Sequence, residues 1–442
     1  MITGGNDMDY ATDIKKQLFT LIDEMNTSRW YFVKNPTRDF TRKKKWSFPE
    51  IMKFMISMEG KSLKDELYEH FDYRSETPSN SSFNQRRAQI LPEAFEFLFK
   101  EFTASLNKTE KTYNGYKLIA CDGSDLCYSS DPSDVSSYFH PQIDVKGYNL
   151  LHLNALYDLL ERTYTDAIIQ ARRQANEKRA MCDMVDRFTS DQKTIFIADR
   201  GYENYNLFAH VEKRGMYYLV RARDINSTGI LSGLNLPKEE CFDIHVSYTL
   251  TTKQTKEVKT DREKFKFVPH TSTFDYLTDE CKFYDISFRI ARFPISENSF
   301  ECVITNLPEN EFDSAELKKL YQMRWGIETS FRELKYAIGL TNFHAKKTEF
   351  VKQEIWARLI LYNFCEAITT HVAINQKADR KYDYQVNYTR AIRICCYFLR
   401  TKKARSEIEE LIEHELLPVR PNRKDPRKVK TRSTVSFLYR VA

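Results

Sequence analysis

Two short segments, Leu118-Ile119-Ala120-Cys121 and Ile195-Phe196-Ile197-Ala198, are apolar without alternation, and each runs straight into an aspartate, Asp122 or Asp199. A glycine follows one or two residues later in both. Such runs are too short for helices and have no polar face, so they fit strands covered on both sides, as in an α/β sheet. The text around them agrees. YKLIACDG reads as a buried strand, and YNLLHLNALYDLL and TYTDAIIQ, joined through Glu161-Arg162, can form a hairpin with it. Then come a helix (RRQANEKRAMCDMVDRF), a strand (KTIFIADRG), a helix ending at Gly215 (YENYNLFAHVEKRG) and another strand (MYYLVRAR). This order predicts a mixed sheet flanked by helices.

The flanks read differently. Residues 10 to about 108 are helical in pattern: FPEIMKFMISMEGKSLKDELYEHF, a breaker cluster ETPSNSS, then FNQRRAQILPEAFEFLFKEF with Ser81 or Ser82 as its N-cap. Arg86 and Arg87 would then lie in the first turn, where cations oppose the helix dipole unless phosphates are near. Lys43, Lys44 and Lys45 form a second basic cluster before Trp46. From about 225 to 306 the period becomes 2, clearest in Tyr284 to Ile290, with VSYTLTTKQTKEVKT and FKFVP similar, which predicts an all-β insertion. From Ser314 the chain is helical again. The expected organisation is a helical DNA-binding region 1–110, a sheet core 111–224, a β insertion 225–306, a second part of the core 307–380, and a helical C-terminal region with a basic tail, 381–442.

At 442 residues, 41% hydrophobic and 14% aromatic, the chain can fill real cores, so wholesale disorder is excluded. No window approaches 18 apolar residues, and MITGGNDMDY has no secretory pattern, so neither a membrane span nor a signal is expected. Nine cysteines without a C-x-x-C pair argue against a disulfide framework or structural zinc and fit a reducing cytoplasm. From Pro418 to Ala442 eight basic side chains, among them Arg423, Lys424, Arg427 and Lys428, face one acid, Asp425. That segment holds the whole +6 excess of the chain, which suggests a polyanion partner, most often nucleic acid.

Asp122 and Asp199, at strand ends of one sheet, could share a site and bind a hard cation, although aspartate at a strand end is commonly just a turn residue. Asp125, three residues on, is an alternative first acid. A third acid comes with helical geometry. With Glu328 at 0°, Tyr321 falls at roughly +20°, Arg324 at roughly −40° and Lys335 at roughly −20°. These four share one stripe beside an apolar seam of Leu320, Met323, Ile327, Phe331, Leu334 and Ile338. Trp325 at roughly +60° could stack on an unpaired base, although a core position is the commoner place for a tryptophan and the preferred reading. His140 and His152 read as packing or hydrogen-bonded core residues rather than ligands.

The run YQMRWGIETSFRELK resembles the Y-(2)-R-(3)-E-(6)-K signature of the insertion-sequence-four family of DDE transposases, through Tyr321, Arg324, Glu328 and Lys335. CDGS around Asp122 and ADRGY around Asp199 resemble that family's first two catalytic motifs. TPSNSSFNQRRAQI, IGLTNFHAKK and RPNRKDPRKVK also fit, so the resemblance spans about residues 70 to 432. It implies a ribonuclease-H-like mixed α/β core interrupted by a β insertion, with Asp122, Asp199 and Glu328 as catalytic, metal-holding acids. The implied cofactor is two Mg²⁺ ions, with Mn²⁺ able to substitute. DNA contacts are expected from Tyr321, Arg324, Lys335, Trp325, Arg200, Arg86, Arg87, the Lys43–Lys45 cluster and the tail. The implied partners are terminal inverted repeats and target DNA, bound by a homodimer in a synaptic complex at the nucleoid. The implied reaction is Mg-dependent nicking, hairpin formation and opening, and strand transfer. A structure-specific nuclease of the same fold and a domesticated DNA-binding protein are the alternatives.

Overall fold

The computed structural model describes residues 10–42, 44–106, 110–140, 147–225, 227–232, 234–269, 271–297, 299–372, 383–401 and 407–419. The N-terminal helices are α1 (Tyr10–Thr27), α2 (Phe48–Ser57), α3 (Leu63–His70), α4 (Asn80–Arg87) and α5 (Pro92–Ser105). The Ser47, Ser62 and Ser79 hydroxyls accept from backbone N–H groups in the first turns of α2, α3 and α4, satisfying donors those turns would otherwise leave bare. Ser79, not Ser81 or Ser82, therefore caps α4, and the expected single helix is split: α4 ends at Arg87 and α5 opens at Pro92, which leaves Arg86 and Arg87 in the last turn of α4. There they complement the dipole instead of opposing it.

The sheet follows: β1 (Tyr116–Tyr128), β2 (Tyr138–Phe139), β3 (Tyr148–Asp158), β4 (Thr163–Ala171), α6 (Glu177–Arg187), β5 (Lys193–Ala198), α7 (Tyr205–Lys213) and β6 (Tyr217–Ala222). The antiparallel neighbours β4, β3 and β1 lead to β5 and β6, which run parallel to β1. Gly215, at φ +66°, ends α7 in the left-handed conformation that glycine tolerates best.

The next strands are β7 (Phe242–Thr251), β8 (Phe265–Phe267), β9 (Phe283–Ser296) and β10 (Ser299–Thr305), with a short helix α8 (Lys256–Thr260) between the first two. The expected all-β insertion needs correcting. It contains α8, because the Thr255 side chain accepts from Val258 N–H and nucleates a turn where strand was expected. Its strands join the main sheet: β10 pairs with β6 from Cys302–Ala222 to Thr305–Leu219, which extends that sheet to ten strands.

The chain ends in α9 (Ser314–Met323), α10 (Trp325–Tyr336), α11 (Thr348–His371), β11 (Tyr384–Val386), α12 (Tyr388–Arg400), α13 (Ile408–His414) and β12 (Leu416–Pro418). One face of the sheet carries α6 and α7 over Ile119, Cys121, Phe196 and Ala198. On the other, α9 covers Leu118, Ile195 and Ile197. Helix α10 lies over the continuation of β1, in a core shared with α11, α12 and α1 to α5. Among the described residues no helix is long and apolar enough to cross a membrane.

Arg87 shows what joins the N-terminal helices to α11. It is fully buried; its Nε donates to Gln353 Oε1 (3.2 Å), Nη1 to Glu354 Oε1 (2.9 Å) and Nη2 to the Phe350 carbonyl (2.9 Å). Burial alone would raise the Glu354 carboxyl, but Arg87 and His344 bring it down to about 2. Arg86 is likewise tucked in, donating to the Trp46 carbonyl and Gln89. Both side chains are thus taken up by protein partners, Arg87 with no exposed surface at all, which runs against the expected DNA contacts.

Candidate active site

Strand β1 does not stop at Asp122. It runs on to Tyr128, because Gly123 to Tyr128 keep pairing with β3 after the pairing with β5 has ended at Cys121–Ala198. Asp122 thus sits at the step where β5 gives way, and Asp199 is the first residue beyond β5. Extending the parallel register by one residue sets the two side by side on strands about 4.8 Å apart. Asp199 caps a short turn, its Oδ1 accepting from Gly201 N–H at 2.7 Å.

Alternation along β1 divides the two acids between faces. Asp122 shares its face with Leu118 and Leu126, under α9 and α10, whereas Asp125 shares the α6 face with Cys121 and Gly123. Asp125 therefore points away from Asp122. It meets His152, its cross-strand partner, at 2.7 Å, and Arg172 at 3.0 Å.

Helix α10 delivers the third acid. The Asp313 side chain caps α9 by accepting from Glu316 N–H (2.8 Å), and Arg324 joins α9 to α10 in a right-handed helical conformation. Leu320, Ile327, Phe331, Leu334 and Ile338 are buried as the seam requires. The Tyr164 and Ser330 hydroxyls hydrogen-bond at 2.8 Å, and the Tyr362 hydroxyl donates to Glu333 at 3.1 Å, which fixes α10 from behind.

Arg324 is the hub. Buried at 5% exposure, it sends Nη2 to Glu328 Oε1 at 2.7 Å, while Nη1 lies 3.9 Å from Asp122 Oδ2. Among the described residues its buried Nε finds no hydrogen-bond acceptor. Tyr321 is buried too, with its ring 5.5 Å from the Arg324 guanidinium. Lys335 donates to the Asp125 carbonyl of β1 at 3.3 Å, bringing the far end of α10 onto the same strand. Asp122 is pushed up to about 6, first by burial and further by the charges of Asp199 and Glu328, against the pull of Gly123 N–H and Arg324. Asp199 and Glu328 thus each lie within electrostatic reach of Asp122.

The donor set, three carboxylates and no soft ligand, suits a hard divalent cation. The mutual repulsion recorded in the Asp122 shift is also what a cation would relieve. As they stand, among the described residues no three His, Cys, Asp or Glu side chains are gathered closely enough to hold an ion. Arg324 is the cation now bridging Asp122 and Glu328.

Other expected residues are scattered. Trp325 is 54% exposed, which corrects the core reading: it follows Arg324 on the outer side of α10. His140 is exposed, so it is no core residue, whereas His152 is buried between carboxylates. Arg200 and Lys44 are exposed, and Lys45 donates to the Glu76 carbonyl at 2.7 Å. Lys43 and the tail residues Arg423, Lys424, Arg427 and Lys428 lie outside the described residues. The sequence reading missed Glu177 and Arg172. Glu177 Oε1 stands 3.1 Å from His152 Nε2, and burial notwithstanding, Asp125 and Glu177 together raise the imidazole to about 9. The available signal was the asparagine cap Asn176, which places Glu177 at the first position of α6, level with the strand ends.

Comparison with known proteins adds three findings. The family model described as "Transposase DDE domain" matches residues 108–364, more than half of the chain and all of Asp122, Asp199 and Glu328. Two curated relatives are a putative transposase InsL for insertion sequence element IS186A of Escherichia coli (strain K12) and a transposase for insertion sequence element IS421 of Escherichia coli. Each is 36% identical over 58 residues, which is 13% of this chain and 16% of the relative, so the chain matches only a small part of their length. Among solved structures, a piggyBac transposase synaptic complex with hairpin DNA aligns over 95% of this chain and 88% of that one, at 8% identity and a TM-score of 0.44.

Proposed function

The chain belongs to the transposase DDE domain family, and from that premise we propose that it is a DNA transposase of the insertion-sequence-four type, moving an insertion sequence by cutting and joining at terminal inverted repeats. Asp122, Asp199 and Glu328 are its catalytic acids. The single observation that carries this reading is the convergence at the β1–β5 edge: two aspartates on neighbouring parallel strands, and the glutamate of α10 tied toward Asp122 through Arg324. The order β4-β3-β1-β5-β6, three antiparallel strands and then two parallel ones, supports a ribonuclease-H-like core. The Y-(2)-R-(3)-E-(6)-K spacing supports the finer family assignment.

Asp122, Asp199 and Glu328 would hold divalent cations, Mg²⁺ in this reading with Mn²⁺ as substitute, which when bound activate water and stabilise charge on the scissile phosphate. Arg324 orients Glu328 through Nη2 and keeps a desolvated Nε–H for an anion; a phosphate oxygen is the natural acceptor. Lys335 and Arg200 add positive charge for flanking phosphates. Exposed Trp325 offers a stacking surface for an unpaired base, which suits a hairpin intermediate. Two copies of the chain would hold the two element ends.

The test uses a radiolabelled inverted-repeat oligonucleotide with a target plasmid and Mg²⁺. Wild-type protein should cut the end and join it to the plasmid; cutting without joining would make it a nuclease instead. Glu328→Gln should abolish cutting while end binding stays within a few-fold. Equal loss of both would mean that Glu328 only supports the fold.

A further inference from the structure

On the α6 face of β1, opposite Asp122, His152 lies between two carboxylates. Its Nδ1 is 2.7 Å from Asp125 Oδ1 and its Nε2 is 3.1 Å from Glu177 Oε1, with the side chain 4% exposed. Asp125 is three residues beyond Asp122 on β1. Glu177 opens α6 beside the turn that carries Asp199. A Cβ at Gly201 would stand 2.9 Å from Asp199 Oδ1 and 3.7 Å from Glu177 Oε2, so both carboxylates border that one glycine. The ring gets this close to β1 only because residue 123 has no side chain: a Cβ there would be 2.5 Å from His152 Nε2. The glycine after Asp122 thus makes room for this cluster, whereas the glycine after Asp199 is tight only against Asp199 itself.

We infer that His152 is a positioning residue that, through Asp125 and Glu177, fixes strand β1 and the turn after β5 relative to each other and so sets how Asp122 and Asp199 jointly meet a divalent cation. The inference rests on the reading of those two aspartates as cation ligands. Outer partners of this kind commonly change metal affinity by roughly 10–100-fold when removed. A second histidine held between two carboxylates supplies the control. His210 joins Asp186 of α6 (2.8 Å) to Asp275 (2.9 Å), on the face of α6 and α7 away from Asp122.

The experiment titrates the full-length protein with Mn²⁺ alone by calorimetry and records thermal melting beside it. His152→Gln should weaken Mn²⁺ binding by about tenfold, and the half-saturating Mn²⁺ for end cleavage should rise in parallel. Glu177→Gln and Gly123→Ala should do the same, the latter by displacing the ring rather than removing it. His210→Gln should lower the melting temperature but keep wild-type Mn²⁺ affinity. Unchanged Mn²⁺ affinity in the His152, Glu177 and Gly123 variants, or equal weakening in His210→Gln, overturns the inference. Asp122→Asn and Asp199→Asn separate the two levels. If they abolish Mn²⁺ binding while His152→Gln keeps wild-type affinity, only the positioning role falls; if they bind Mn²⁺ as wild type does, the ligand assignment falls and the inference with it.

Discussion

Arg87 and Arg324 both pair with a glutamate on a helix, and they differ in what is left over. Every nitrogen of Arg87 has a partner in a fully buried pocket between α4 and α11. Arg324 is nearly as buried, yet among the described residues its Nε has no partner, and one arm stands 3.9 Å from Asp122. A saturated guanidinium holds elements together; one with a desolvated spare donor is suited to receive an anion, because leaving that donor unmet costs stability until something binds. The same residue type serves packing in one region and recognition in the other, and the donor inventory tells them apart.

The largest effect should come from Arg87→Ala. It leaves Glu354 charged and buried without its main partner and should cost about 3–5 kcal/mol in urea unfolding. A loss below about 1 kcal/mol would break the comparison. Arg324→Ala should slow end cleavage by roughly 10²–10³-fold, with melting within a few degrees of wild type because Glu328 stays solvated. If its melting falls as far as that of Arg87→Ala, both arginines are structural.

The His152 clamp is a third arrangement, ionic like Arg87 but adjacent to the acids. Its folded pKa, about 9, exceeds the ordinary value of 6.5. The stability it contributes is therefore fully present below about pH 6.5 and is lost as pH rises through 9. The wild-type melting temperature should fall by several degrees more than that of His152→Gln between pH 7 and 9.5; parallel curves would mean that the ring is not held charged. The smallest effect should be that of Lys335→Ala, which should weaken end binding a few-fold and lower the log–log salt slope by about one. An unchanged slope would remove Lys335 from the DNA.

Much of the sheet was legible because its strands announce themselves locally. Leu118–Cys121 and Ile195–Ala198 have no polar face, and the alternation in β9 leaves Ile286, Phe288 and Ile290 buried. The helix carrying Glu328 was legible for the same reason, through its apolar seam. What local pattern cannot carry is the identity of distant partners. Nothing near Arg86 and Arg87 reveals that α11 will enclose one and Trp46 the other, and the end of α4 at Arg87, before Pro92 opens α5, reversed their place on the dipole. His152 and Glu177 were illegible likewise, since their meeting depends on β3 and α6 converging on one strand. The continuation of β1 past Asp122 was hidden because Gly123 and Ser124 look like a turn; only the long partner β3 keeps them extended.

Asp122 and Asp199 belong to the first half of the chain, whereas Glu328 arrives on α10 after strands β7 to β10 have been added to the sheet. If Glu328 is the third acid, as proposed, this order acts as a timer on a ribosome: about three quarters of the polypeptide emerges before the set of acids is complete. Fragments ending before Glu328 should then be unable to cut an element end, which a truncated protein in the cleavage assay would check.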